Sequence, residues 1–416
     1  MLNVQQVRAH FPALAADAIF FDNPGGTQVA QEVLQRMQDY LLHNNANHGG
    51  LFRTSQQSDA IVAEARQALA DFLNAASPQE IVFGPNMTTL TFHISRSLAR
   101  TLQPGDELVV TRLDHDANIS PWLMIAQERG CTVRWVDFHE EDCTLDMQSM
   151  EEQITERTKI VAIGYASNAV GTINDAKRAV EMAHRVGALA YIDAVQYAPH
   201  RPIDVQALAC DFLVCSAYKY FGPHLGVLYG KRDLLDSLTA YKVRPASNEP
   251  GEKFETGTQS FEAIAGALGA LEYLQWLGRT YGAPFAQQLS SQYSGRRLEL
   301  KQAMAAIQEY ELELNHSLLE TLSSIAGLHI WGITDPHRLQ QRVPTFSFTL
   351  EGHTPATVAE TLGKENIYVW NGNYYALAVT ERLGLEEQGG MVRVGLVHYN
   401  TQPEIERLQE ALQRLR

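Results

Sequence analysis

Basic residues are in the minority in this chain of 416 residues: lysine and arginine total 33 against 48 aspartates and glutamates, a formal net charge of −15. Nucleic acids and anionic membrane surfaces both reward basic patches, so neither is expected as a partner. Long apolar runs are also missing, and none reaches the roughly 20 residues that span a bilayer as a helix. The start, Met1 to Arg8, lacks the basic-then-apolar pattern of a secretion signal, which leaves a cytoplasmic location as the expectation. Cysteine is scarce. Cys131, Cys143, Cys210 and Cys215 are too few for a disulfide scaffold at this length, and their spacing fits no zinc pattern, so no metal is expected. No G-x-G-x-x-G follows an early strand, which argues against a nicotinamide dehydrogenase.

What is present is an ordinary globular composition, 45% hydrophobic and 19% charged, in a chain long enough for one large and one smaller unit. Residues 1–18 read as a short helix with Val4, Val7 and Phe11 on one face. A brief strand at 19–22 and the turn Asn23-Pro24-Gly25-Gly26-Thr27 lead to a helix through Leu42. The polar loop 44–54 is longer than a simple connector needs and is a candidate to line a site. A helix follows over 58–73. Buried strands are expected at 80–83, 107–111, 131–136, 160–165, 189–192 and 212–215, separated by helices. Such alternation of apolar strands with helices predicts an α/β fold whose mainly parallel sheet is covered on both faces, with ligands at the carboxyl ends of the strands. Alanine, glycine and leucine crowd residues 264–277, a helix suited to close packing. Strands near 329–332, 345–350 and 391–397 form the smaller unit, and Thr401-Gln402-Pro403-Glu404 opens the last helix with a capping box.

The chemistry concentrates in residues 188–231. One apolar strand there ends in Asp193 and another runs into Ser216-Ala217-Tyr218-Lys219. A lysine at the end of a buried strand is costly as an unpaired ammonium, and burial lowers its pKa, making it a usable nucleophile and base. Alone, it reads better as a strand-end lysine reaching solvent. Asp193 shifts the balance, because an acid on a separate strand end can pair with the ring nitrogen of pyridoxal 5'-phosphate (PLP) and keep it protonated. Gln196 could donate to the cofactor's phenolic oxygen. Thr88 and Thr89 sit at a strand-to-helix turn suited to phosphate, with Ser216 as a further hydroxyl. His115 could stack on a planar ring, and Asn168 could contact cofactor or substrate. Arg393, among apolar strand residues, calls for a partner: a substrate α-carboxylate or a structural acid.

Taken in order, these residues resemble the class V aminotransferase family of fold-type I PLP enzymes, and within it the cysteine desulfurase and selenocysteine lyase branch. The likeness runs through Phe21-Asp22-Asn23, His115 with Ala117-Asn118-Ile119, Ser167-Asn168, Asp193-Ala194-Val195-Gln196, Ser216-Ala217-Tyr218-Lys219, Phe254-Glu255-Thr256-Gly257-Thr258, and Arg393 with Tyr399-Asn400-Thr401. The resemblance implies a fold-type I PLP-dependent transferase architecture. Residues 1–18 would pack with the small domain, 19–260 form the large PLP-binding domain, 261–295 the connecting helix and 296–416 the small C-terminal domain. It implies that Lys219 forms the Schiff base, Asp193 pairs with the pyridine nitrogen, Gln196 contacts the phenolic oxygen and His115 stacks on the ring. Thr88, Thr89, Ser216 and Tyr218 would serve the phosphate; Tyr218 replaces the histidine usual before the lysine. Asn23, His48, Asn168, Tyr375 and Arg393 would face the substrate. Thr258 would reach the phosphate of a neighbouring subunit, hence a homodimer with shared sites.

One departure bears on the reaction. Desulfurases carry a nucleophilic cysteine in a loop of the small domain, and the matching stretch here, Val369 to Ala376, has Tyr375 at that place. A phenol cannot replace the thiolate that forms a persulfide. The expectation is a PLP enzyme acting on a small amino acid, a carbon–sulfur lyase of the β-elimination type without an enzyme persulfide. Amino-group transfer and epimerisation are the alternatives, with a non-catalytic PLP-binding protein a more distant one.

Overall fold

In the computed structural model, residues 2–415 are described. Seven strands make the larger sheet: β1 (Ile81–Gly84), β2 (Glu107–Thr111), β3 (Thr132–Val136), β4 (Thr158–Gly164), β5 (Leu189–Asp193), β6 (Phe212–Ser216) and β7 (Gly226–Gly230). Their order is β1-β7-β6-β5-β4-β2-β3. The pairs from β6 through to β3 are parallel, and β7 runs antiparallel to both β6 and β1. The sheet is therefore mixed and mainly parallel. Helices cover both faces, which is why β1, β2, β6 and β7 are buried at every residue.

Two details depart from the sequence reading. The strand starting near Cys131 is an edge strand, half-exposed rather than buried. Strand β7 was not foreseen: it follows β6 after a connection over 217–225 that begins with a 3-10 turn, and it slots between β6 and β1. Gly226 makes that position possible, since a Cβ there would lie 2.5 Å from the Asn86 carbonyl carbon.

The smaller sheet is antiparallel, in the order β8-β9-β11-β10: β8 (Leu328–Trp331), β9 (Thr345–Leu350), β10 (Trp370–Gly372) and β11 (Met391–Gly395). Helices Gln31–Asp39, Arg53–Leu73 and Gly295–Ser323 pack around the long helix Phe261–Tyr281. Its glycines explain the closeness: a Cβ on Gly269 would sit 2.5 Å from the Glu32 carbonyl oxygen and one on Gly278 only 1.9 Å from that of Glu299. The capping box expected at Thr401 and Glu404 is present, opening helix Gln402–Arg414.

The first 18 residues are not one helix. Val4–Arg8 is helical, and a 3-10 turn at Pro12–Ala15 follows a break that Pro12 enforces, lacking an amide proton to continue the helix. Phe11 packs edge-on against Phe221, Tyr273 and Tyr399. The helix expected through Leu42 starts at Gln31 and passes at Tyr40–Asn44 into a π-helical turn. Among the described residues no helix is long and apolar enough to cross a membrane.

Candidate active site

Strands β1, β2, β4, β5 and β6 all end at the same edge of the larger sheet, and the polar residues that follow them converge there. Asp193 is the last residue of β5. Lys219 closes a 3-10 turn directly after β6. An inner slot of about 80 Å³ is lined by Asn86, Asp114, Asp193, Gln196 and Ser216 among others, and it adjoins an outer cavity of about 840 Å³ that reaches Trp370, Tyr375 and Arg393. Thr88, His115, Asn168, Tyr218 and Lys219 line both.

Lys219 has no acidic partner among the described residues; its Nζ donates to the Pro24 carbonyl. Burial, then the neighbouring Arg393 charge, bring its amine down to about 7, with Asp193 pulling weakly the other way. Pro24 is held by an opening in β11, since a Cβ on Gly395 would fall 2.0 Å from its ring. Asp193 is 7% exposed and its carboxylate takes one hydrogen bond, from the Val195 amide at 2.9 Å. Burial lifts it to about 6. A buried acid with no cation against it fits a ligand that brings a cation, which is what a protonated pyridine nitrogen is.

His115 is oriented by its own turn. The Ala117 amide donates to its Nδ1 at 3.0 Å, so the neutral ring carries its proton on Nε2. Burial, followed by Lys219 and Arg393, lowers it to about 4, leaving a flat, uncharged ring suited to stacking. The Met87 amide donates to Ser216 Oγ at 3.0 Å, and Asn86 caps the helix Met87–Ala99 by accepting from the Thr89 amide at 2.9 Å. Second in that helix, Thr88 keeps an amide that the first turn cannot satisfy, as an anion site requires. Tyr218 lies beside it with its ring stacked on His224, centroids 5.0 Å apart. Gln196 Nε2 donates to Thr345 Oγ1 at 2.9 Å, leaving one amide proton free.

Arg393 is 4% exposed and pairs with no acid among the described residues. One Nη donates to the Asn168 carbonyl at 2.8 Å, its guanidinium lies 4.2 Å from the centre of the Tyr374 ring, and its Nε is buried without a partner. Asn168 holds Tyr374 by donating to its carbonyl at 2.9 Å, and its own Oδ1 is buried and unpaired. These orphaned groups, the unpaired Asp193 and the free helix-start amide together fit a phosphate-bearing pyridine and a carboxylate-bearing substrate.

Several expected residues are not brought to the cavity. Thr89 is exposed on the helix and its amide is already engaged. Asn23 is buried nearby, but its amide serves Phe20, Gly395, Asn400 and Tyr399. His48 and Thr258 are exposed, outside the cavities of this chain, and the 44–54 loop does not line them. Conversely, Asp114 went unrecognised. Buried beside Asp193, it accepts from the Gly164 amide and Asn118 Nδ2 at 2.8 Å each, and burial raises it to about 7. Its signal was an acid just after an apolar strand, the pattern that marked Asp193. The cysteines lie elsewhere. Cys143, Cys210 and Cys215 are buried and burial pushes all three thiols up; no cysteine lines either cavity.

The family profile described as Aminotransferase class-V matches residues 19–301 and 294–408. The chain is 34% identical to a protein named cysteine desulfurase from Synechococcus elongatus, over 99% of this chain but 64% of that longer relative, so it spans less than two thirds of it. It is 35% identical to the aminotransferase-like protein FGM3 of Gibberella zeae, covering 99% of this chain and 98% of the relative. Among solved structures it is similar to an apo cysteine desulfurase from Thermococcus onnurineus NA1, with TM-score 0.86, 26% identity and coverage of 100% and 98%. The cysteine desulfurase CsdA of Escherichia coli gives TM-score 0.83 at 27% identity, with the same coverage.

Proposed function

Since this chain belongs to the class V aminotransferase family, whose members are PLP-dependent enzymes, we propose that it carries PLP on Lys219 and acts on an amino acid as a carbon–sulfur lyase of the β-elimination type. One observation carries this reading: Lys219 and Asp193 end neighbouring strands at a shared slot, both enclosed and neither ion-paired among the described residues. The absence of any cysteine from the cavity lining supports a reaction without an enzyme persulfide, with Tyr375 where the desulfurase thiol would stand.

Bound PLP supplies an electron sink for the negative charge that develops at the substrate Cα. Asp193 would hold the proton on the pyridine nitrogen, Gln196 would offer its free amide proton to the phenolic oxygen, and His115 would lie against the ring. Thr88, Ser216 and Tyr218 would hold the phosphate. Arg393 fixes the substrate α-carboxylate. Lys219 Nζ, a free amine near neutral pH, takes the Cα proton and can return it to the departing sulfur. Asp114 is a positioning residue behind Asp193. We further read the enzyme as a homodimer in which Thr258 serves the partner's phosphate and His48 faces its substrate. Both are exposed here, and His48 lies between two exposed leucines of the same segment, Leu42 at 65% and Leu51 at 96%.

The test is direct. Lys219→Ala should abolish the long-wavelength absorbance of the PLP-loaded protein, and survival of that band removes Lys219 from its role. S-substituted cysteines should then release thiol, ammonia and keto acid in equal amounts. A second reading, amino-group transfer, draws on the similarity to the aminotransferase-like protein of Gibberella zeae. It predicts keto acid with the amino group retained and no thiol. A stable persulfide on the protein would refute both.

A further inference from the structure

Charge is unevenly spread over the outer cavity. Its cations, Lys219 and Arg393, belong to the machinery proposed above, whereas the other charged groups on its wall are the acids Asp116 and Glu386. Neither acid has a cationic partner among the described residues. Asp116 Oδ2 accepts from Ser120 Oγ at 2.5 Å and its other oxygen is free; Glu386 accepts from Asn373 Nδ2 at 3.0 Å and Thr380 Oγ1 at 2.5 Å. In the same cavity Arg393, its Nε buried without a partner and no acid paired to its guanidinium among the described residues, is the group that would meet a carboxylate.

The loop beside Asp116 holds two tyrosines in a strained backbone conformation. Tyr374 and Tyr375 are consecutive residues with φ of 55° and 60°, a conformation bulky side chains rarely adopt. The Asp116 amide holds it by donating to the Tyr375 carbonyl at 2.6 Å. The result is an aromatic ring presented to the cavity rather than buried: Tyr375 is 75% exposed, its ring 5.6 Å from that of His115 and tilted by 27°. Trp370, 49% exposed, stands on the strand next to Arg393. Aromatic faces beside an unneutralised carboxylate suit a cation and oppose an anion.

From this arrangement we infer that the substrate is an amino acid with a long side chain ending in a cationic group, which sits against Asp116 between Tyr375 and Trp370 while the α-carboxylate meets Arg393. The inference rests on the amino-acid-processing reading above. α-Methyl amino acids test it on the PLP-loaded enzyme, because they bind but have no Cα proton to lose. Calorimetric titration would compare α-methyl-lysine, α-methyl-norleucine and α-methyl-2-aminoadipate, whose tails are cationic, neutral and anionic. The lysine analogue should bind about tenfold tighter than the neutral one, the scale of a hydrogen bond to a charged group, and the anionic analogue weakest. Asp116→Asn keeps an acceptor for Ser120 and should bring the first ratio near one; Glu386→Gln should reduce it less. Arg393→Leu should weaken all three alike and leave the ratio standing. Equal binding of the cationic and neutral analogues, or a preference that survives Asp116→Asn intact, overturns the inference alone. Failure of all three to bind the loaded enzyme overturns the amino-acid reading and the inference with it.

Discussion

Asp193→Asn should stabilise the cofactor-free protein while weakening its hold on the cofactor. The substitution keeps the shape and keeps an oxygen for the Val195 amide, so it removes a charge and little else. In the folded chain burial raises this carboxyl from 3.8 to about 6. At about 1.4 kcal/mol per pH unit, ionising it inside the slot costs at most about 3 kcal/mol of folding stability. The sign follows from which state binds the proton. Below pH 3.8 the acid is protonated in both folded and unfolded chains and costs nothing. Above about 6 it is ionised in both, and the full penalty is present. The variant should therefore melt several degrees above the wild type at pH 8, with the gain fading as pH falls towards 4. Relief of Asp114, whose raised pKa owes part to Asp193, adds in the same direction. PLP should reverse the order, because only the wild type gains a counter-charge on loading. Thermal melts with and without PLP at pH 8, 6 and 4 check this. A variant no more stable than wild type at pH 8, or a gain that does not fade in acid, would refute the reasoning.

Two further outcomes follow from the same site. Only the unprotonated Lys219 amine can attack an aldehyde, and burial places its pKa near 7 instead of 10.5. The rate of PLP loading should thus rise with pH and level off just above 7, and stopped-flow absorbance showing a continued climb through pH 9 would contradict that environment. Gly395→Ala places a methyl group 2.0 Å from the Pro24 ring. Overpacking of this kind costs about 1–3 kcal/mol, and moving Pro24 away from Lys219 should slow loading; unchanged melting and loading together would show that Pro24 does not hold the lysine.

How much could be read from the chain alone depends on the range over which each feature is determined. The strands and their order of appearance follow from local apolar runs, and β2 and β9 match the expected bounds. Asp193, Ser216 and Lys219 were legible because each stands where such a run stops, and in a mainly parallel sheet those ends share one edge. Pairing partners carry no local signal. Strand β7 was missed because its place between β6 and β1 depends on which edges remain open after the parallel strands assemble. Which strand ends at an edge, as β3 does, is likewise settled only by the assembled sheet. The helix break before Pro12 was missed although its cause was local.

Within the site, the sequence by itself determined the lysine, the acid, the histidine and the arginine as a set of chemical types, together with the want of a cysteine near Tyr375. Tertiary structure alone decided that Arg393 lacks an acidic partner and that Asn23 is fully engaged elsewhere. It also joined Asp116 to the backbone of Tyr375 across more than 250 residues of chain. The physical reason is that side-chain chemistry and local periodicity are written in the residues themselves. Burial, orphaned hydrogen-bonding groups and the closeness of two acids arise only when distant segments pack and water is excluded between them.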